Sequence, residues 1–351
     1  MSGVGFVDCN GGPACAHRIH AHPAGGGPRP RRIIDIHAHC LVPAARALVP
    51  GPAPSPVSSG PPPGLGVGDD NVAVRIAAMD AQGVEMQVLS INAFWHHADV
   101  DLSRQVIELQ NQTLAEIVAR HPDRLAAMAT VALQHPQEAA RQLEHAVKSL
   151  GLRGVLVGGS VEGAELSDPR FHPFWAKAEE LGAPVFLHPQ GWPDAEGRLR
   201  GGGLLPVVVG YPLETTVALS HLIYEGTLDR FPGLKLCAAH GGGFLPAYSG
   251  RFDAVLTTFP GDGTVKLNKA PSAYLRDLYY DSLVFTPEAL RHLIAVVGAD
   301  RVMLGSDYPF PWTDKGVDHV LDTPELTDAE RAAILGETAA RLFGIGAKVG
   351  S

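Results

Sequence analysis

The chain is short of the features that mark secreted, membrane or nucleic-acid-binding proteins. Its 351 residues include only four cysteines (Cys9, Cys15, Cys40 and Cys237), none at CxxC spacing, which suits a reduced cytoplasm. No stretch approaches the roughly 20 apolar residues of a membrane span, and the first 30 residues carry no apolar signal core. Neither a membrane protein nor a secreted one is expected. Positive charge is scarce: 28 Lys and Arg stand against 37 Asp and Glu, a formal net charge of −9 that argues against nucleic acid or anionic lipid as a partner. An anionic substrate would need a local arginine or a metal to attract it. No glycine-rich phosphate loop follows the first apolar run, and no repeat of 20 to 50 residues is evident.

With 45% hydrophobic and 19% charged residues, the chain can bury a full core. Residues 1–31 mix glycine, proline, arginine and histidine without apolar period and read as an irregular tail. That tail holds His20-Ala21-His22, which no strand-like run precedes. A second irregular stretch, 47–68, is rich in proline, glycine and serine and reads as an insertion beside a substrate site.

Elsewhere short apolar runs alternate with helix-compatible segments. Candidate strands are Ile33–His37, Val84–Ile91, Leu125–Val131, Gly154–Val157, Pro184–His188, Leu234–His240, Leu278–Ser282 and Val302–Asp307. The clearest helices are Leu102–Ala119, Gln137–Leu150, Pro287–Val297 and Thr327–Leu342; Thr286-Pro287 reads as a cap with proline at the first helical position, and Thr327 with Glu330 has capping-box spacing. Parallel strands need crossover helices, so the alternation predicts an α/β fold, a (β/α)8 TIM barrel forming one domain over 32–347. A doubly wound open sheet is the alternative.

The strands end in chemistry. Ile33-Ile34-Asp35-Ile36-His37-Ala38-His39 describes a buried strand delivering two imidazoles on one face. Strands 5, 6 and 8 end in His188, His240 and Asp307, and barrel strands converge at their C-terminal tips. His37, His39, His188 and Asp307 together offer three neutral nitrogens and one carboxylate, a set for one divalent metal, zinc ahead of manganese, with a position left open. His240 remains free for acid/base work, its ordinary pKa lying near working pH. The end of strand 4, Gly154-Val155-Leu156-Val157-Gly158, offers no lysine or glutamate to bridge a second metal.

Ile34 to His39, Phe186-Leu187-His188-Pro189, Ala239-His240-Gly241-Gly242-Gly243, Leu304-Gly305-Ser306-Asp307-Tyr308-Pro309-Phe310 and Met79-Asp80-Ala81-Gln82-Gly83-Val84 together resemble the amidohydrolase superfamily, in the branch of 2-amino-3-carboxymuconate-6-semialdehyde decarboxylase. The resemblance spans about 33–345. It implies a single divalent metal on His37, His39, His188 and Asp307, with His240 activating water or polarising substrate, and nonhydrolytic C–C cleavage that releases CO2. His240 and Asp307 then share the catalytic proton handling. Arg251 stands where the family has an arginine that grips a carboxylate in the neighbouring subunit, which implies a homodimer. The chain departs from the branch at Gln190, at Gly201-Gly202-Gly203 and in the insertion 47–68, and these departures point to another aromatic or unsaturated carboxylic acid as substrate. Phe310, Trp95 and Trp192 are candidates for its apolar wall, and His96-His97 for the pocket rim. The same metal centre could also serve a hydrolase or hydratase.

Overall fold

The structure, a computed structural model, describes residues 32–49, 62–191, 197–199, 204–260, 265–310 and 315–346. The tail 1–31, with His20 and His22, and most of the 47–68 stretch lie outside these residues, as do Trp192 and Gly201–Gly203.

In chain order the elements are β1 (Ile34–His39), α1 (Pro43–Leu48), α2 (Asp69–Gln82), β2 (Met86–Ser90), α3 (Val100–Arg120), β3 (Leu125–Ala127), α4 (Pro136–Lys148) and β4 (Val155–Val157). A small antiparallel hairpin, β5 (Ser160–Val161) with β6 (Ala164–Glu165), precedes α5 (His172–Leu181). Then come β7 (Pro184–Leu187), α6 (Tyr211–Tyr224), α7 (Thr227–Arg230), β8 (Lys235–Ala238), α8 (Leu245–Thr258), α9 (Pro271–Tyr274) and β9 (Tyr279–Asp281). The described chain ends with α10 (Pro287–Val297), β10 (Val302–Met303), α11 (Gly316–Asp322), α12 (Asp328–Ala332) and α13 (Thr338–Phe343).

All eight sequence-predicted strands are present, all but β1 shorter than predicted, so His188, His240 and Asp307 fall beyond strand ends. The parallel sheets β1-β2-β3 and β10-β9-β8-β7-β4 meet at two seams. At one, Ala129 bridges Val155, with Ala129 N–H on Gly154 O at 2.8 Å and Leu156 N–H on Ala129 O at 3.0 Å. At the other, Ala38 bridges Tyr308, and Ile36, Asp307 and His39 N–H donate to Leu304, His37 and Tyr308 carbonyls at 2.9, 2.8 and 2.7 Å. The arrangement is TIM-barrel-like rather than a doubly wound open sheet.

Strand alternation sorts the core into two layers. Ile34, Ile36, Val88, Met128, Leu156, Phe186, Cys237 and Met303 form one buried cluster inside the sheets, while Leu89, Val155, Val185, Leu236 and Val302 pack outward with helix residues such as Leu114, Leu143 and Trp175. β1 breaks this rule. Its pairing with β2 shifts between Asp35 and Ala38, and the consecutive residues Ile36 and His37 both meet Phe186 or its cluster. An irregularity of this kind re-aims side chains beside a functional site.

Helix signals behave as their chemistry requires. Thr286 Oγ1 accepts Ala289 N–H at 3.2 Å at the head of α10, and the Thr327–Glu330 capping box is formed. The predicted helix Thr327–Leu342 is interrupted: α12 and α13 are joined by a π-helical turn over Ala333–Glu337, where Gly336 lies against the Arg32 carbonyl. Residues 47 and 48, predicted to begin the insertion, instead finish α1.

Candidate metal centre

Ligand atoms of His37, His39, His188 and Asp307 lie within 4.8 Å of one another, and all four residues are buried. β1 supplies the first two imidazoles, whose Nε2 atoms are 3.0 Å apart. Asp307 Oδ1 sits 3.3 Å from His37 Nε2 and 2.9 Å from His39 Nε2. The His188 ring, following β7, stands edge-on to both, with centroids at 5.0 and 4.7 Å. His240 closes the group at 5.3 Å from the His37 ring and 5.4 Å from the His188 ring. His188 Nδ1 and His240 Nδ1 are buried with no protein partner among the described residues.

The electrostatics fit a cation. Burial opposes charging His37, yet Asp307 and Asp281 push its pKa up to about 10. Burial, reinforced by neighbouring imidazoles, lowers His188 and His240; it also lowers His39. The cluster thus asks for positive charge among donors kept mostly neutral, and a divalent ion meets that demand with ligands in the state metals require. Three imidazole nitrogens and one carboxylate suit zinc and manganese alike.

Backbone geometry holds these groups with some strain. Asp307 and His240 have φ of +58° and +55°, a region non-glycine residues rarely occupy. After His240, Gly241, Gly242 and Gly243 continue at positive φ, and a Cβ at Gly243 would lie 2.1 Å from the Pro212 carbonyl and 2.6 Å from Thr216 Oγ1. Only glycine lets this turn rest on α6. Gly243→Ala is expected to destabilise the protein by about 3 kcal/mol, combining backbone strain and overpacking, as measured by denaturant unfolding.

Residues behind the ligands were not singled out from sequence. Asp35, within the first motif, accepts His37 N–H and Ser306 N–H at 3.1 Å each, Ser306 Oγ–H at 2.5 Å and Gln87 Nε2–H at 3.0 Å. Gln87 Oε1 takes a hydrogen bond from Arg75 Nη1 at 2.9 Å. Arg75, 1% exposed, also donates through Nη2 to the His39 carbonyl at 2.5 Å and to the Gly64 carbonyl at 2.9 Å, and stacks 4.6 Å from the Tyr308 ring centroid. Asp281, at the tip of β9, accepts His37 Nδ1–H at 2.7 Å. The available signals were an acid inside or at the end of an apolar run, and an arginine in an otherwise apolar helical stripe.

Above the cluster opens a cavity of about 820 Å³ whose walls include Leu204, Val207, Val208, Leu283, Val284 and Phe310, with His188, His240 and Asp307 also lining it. Phe310 takes its expected place, 6.1 Å from the His39 ring. Trp95 does not. It is buried in the outer core and faces a separate small cavity with Phe94, His96 and Gln134, because the chain after β2 turns toward α3; Asn92 lines the metal-side cavity instead. His96 therefore misses the metal-side cavity, and His97 is exposed. Arg251 is exposed on α8 and is not among the residues lining its own chain's cavity. Tyr211, also on the wall, has its pKa pushed up to about 12 by burial, Glu214 and Asp307, so its hydroxyl stays protonated.

Glu214, one turn along α6, accepts the N–H groups of Gln190 and Gly191 at 3.1 and 2.7 Å and so fastens the segment after His188. Burial raises its pKa from 4.5 to about 7 despite those bonds. A raised carboxyl pKa contributes stability that is complete below the unfolded value and is lost as pH climbs through the folded one. The stability of wild type minus that of Glu214→Gln is therefore expected to fall by about 2–3 kcal/mol between pH 5 and pH 8, read from paired melting curves in which the shared histidines cancel.

The amidohydrolase family pattern matches residues 34–345. The 2-amino-3-carboxymuconate-6-semialdehyde decarboxylase of Dictyostelium discoideum is 31% identical over 275 residues, 78% of this chain and 76% of that protein. The crystal structure of 5-carboxyvanillate decarboxylase from Sphingomonas paucimobilis superposes with a TM-score of 0.80 at 28% identity, covering 89% of this chain and 99% of the other. A dihydroxybenzoic acid decarboxylase from Polaromonas sp. JS666, solved with manganese and 2-nitroresorcinol, gives 0.75 at 26% identity, over 89% and 97% of the two chains. No described helix is long and apolar enough to cross a membrane.

Proposed function

Because the chain belongs to the amidohydrolase family, we propose that it is a metal-dependent, nonhydrolytic decarboxylase of an aromatic or unsaturated carboxylic acid. The observation that carries this reading is the convergence of His37, His39, His188 and Asp307, with His240 beside them, on the floor of an apolar-walled cavity. The three decarboxylases compared above support the reaction type and the substrate class.

His37, His39, His188 and Asp307 would hold one divalent ion, zinc or manganese. When bound, such an ion supplies Lewis-acid stabilisation of the negative charge that develops as the C–C bond breaks. In the step itself the bond between substrate carbon and carboxylate breaks, its electron pair stays on carbon, that carbon takes one proton, and CO2 leaves. His240 and Asp307 manage that proton. Phe310, Val207 and Leu283 sandwich the apolar body of the acid, while Tyr211 and Asn92 offer hydrogen bonds to its ring substituents.

This site lies at the mouth of one (β/α)8 barrel over 32–347, with the 47–68 stretch as a neighbouring excursion and 1–31 as an irregular tail. The active unit is a homodimer in which Arg251, exposed on α8 near exposed Phe244 and Tyr248, reaches the carboxylate in a second copy's cavity. A reduced cytoplasm suits the buried free thiols Cys40 and Cys237.

The test is a panel of hydroxylated benzoic acids and unsaturated dicarboxylic acids given to metal-replete protein, with CO2 and products followed directly. Release of CO2 with a product one carboxyl group lighter is expected. A product that has gained water, without CO2, overturns the reading in favour of a hydrolase or hydratase.

A further inference from the structure

Asp281 has no solvent exposure, and both of its oxygens are fully used. Oδ2 accepts from His37 Nδ1 at 2.7 Å and from the His240 backbone N–H at 2.9 Å. Oδ1 accepts from the Gly241 and Leu283 backbone N–H groups at 2.8 and 3.1 Å. β9 lies between β8, which leads into His240, and β10, which leads into Asp307, so this one carboxylate ties the His37 ring to the backbone that carries His240. A Cβ on Gly305 would come within 2.8 Å of Asp281 Cβ and 3.1 Å of His37 Cβ, so the glycine makes room for the pair.

We propose that Asp281 is the positioning residue that couples the metal site to the acid/base histidine. The inference rests on the decarboxylase reading for its kinetic consequence only. Its first task is to fix a tautomer: a carboxylate can only accept, so His37 carries its hydrogen on Nδ1 and turns Nε2 toward His39 and Asp307. The second is to hold a strained turn. His240 and Gly241 stand at φ of +55° and +61°, and two charge-assisted bonds from their N–H groups to Asp281 offset that strain and aim the His240 ring at the ligands. A single group thus sets both the affinity for the ion and the placement of the acid/base histidine. An amide cannot replace it, because one end of Asn would confront backbone N–H donors with further N–H donors.

The experiment compares full-length wild type with Asp281→Asn, using Mn²⁺ alone as the probe. Three readouts are taken: Mn²⁺ affinity from free-ion electron spin resonance, the imidazole spectrum of metal-free protein labelled with 15N-histidine, and kcat at saturating Mn²⁺. For the variant, Mn²⁺ binding at least about tenfold weaker is expected. The protected His37 Nδ1–H resonance should disappear, and kcat should fall at least about 100-fold with KM changed less than about threefold. Affinity within about twofold of wild type, with kcat within about threefold, would reduce Asp281 to a core filler and overturn the proposal, since lost stability alone moves neither readout in folded protein. Should Asp281→Asn not fold, the wild-type spectrum decides: a protected hydrogen on His37 Nδ1 supports the assignment, and an Nδ1 that carries no hydrogen refutes it. If no acid tested loses CO2, the decarboxylase reading fails while ion affinity and spectrum still judge Asp281.

Discussion

Asp307→Asn is expected to lower kcat/KM for CO2 release by about 10⁴-fold while leaving the chain folded, a loss of about 5.4 kcal/mol of transition-state stabilisation. The substitution keeps the side chain's size and removes its charge. Two separate contributions then disappear: the anionic member of the ligand set, whose Oδ1 lies 2.9 Å from His39 Nε2, and a partner for His240 in proton transfer. The metal-free variant should also show His37 titrating well below about 10, because Asp307 is the main influence raising it against burial. Steady-state kinetics at saturating metal check the first effect, and histidine NMR checks the second. Activity within tenfold of wild type would remove Asp307 from the reaction.

Arg75→Met should produce the largest loss of stability, about 3–5 kcal/mol, by leaving buried polar groups without their cation. Arg75 fills one enclosed position with several directed bonds: to the carbonyl of ligand residue His39, to Gly64 within the 47–68 stretch, and to Gln87, which passes the link to Asp35. Methionine preserves the volume and abandons all those acceptors. Lysine restores a charge without the planar fork, so Arg75→Lys should recover little. Differential scanning calorimetry is expected to show the Met variant melting about 4–7 °C lower, given the unfolding entropy of a chain this long. A shift below about 2 °C would mean the network is dispensable.

The ligands could be read from sequence because a parallel-strand tip is a local feature. An apolar run ending in His37-Ala38-His39, His188, His240 or Asp307 needs only the convergence of strand ends to become one site. Phe310 followed for the same reason, lying three residues past Asp307. Trp95 misled because side-chain type carries no direction: four residues beyond Ile91, the chain has already turned into the outer layer. The irregularity in β1 was equally hidden, since a strict alternation would have left Ile36 and His37 on opposite faces. Asp281 and Arg75 were missed because each acts through partners 244 and 36 residues away, His37 and His39. The acid after Tyr280 and the arginine in the apolar stripe of α2 could be noticed locally, but their roles gain meaning only when the strands assemble.

The most direct measurement is CO2 release from a hydroxylated benzoic acid by chelator-stripped protein titrated with a divalent ion. Activity should be absent at the start and rise to a plateau at one equivalent of Zn²⁺ or Mn²⁺ per chain. Undiminished CO2 release from protein shown to hold no metal would contradict the account.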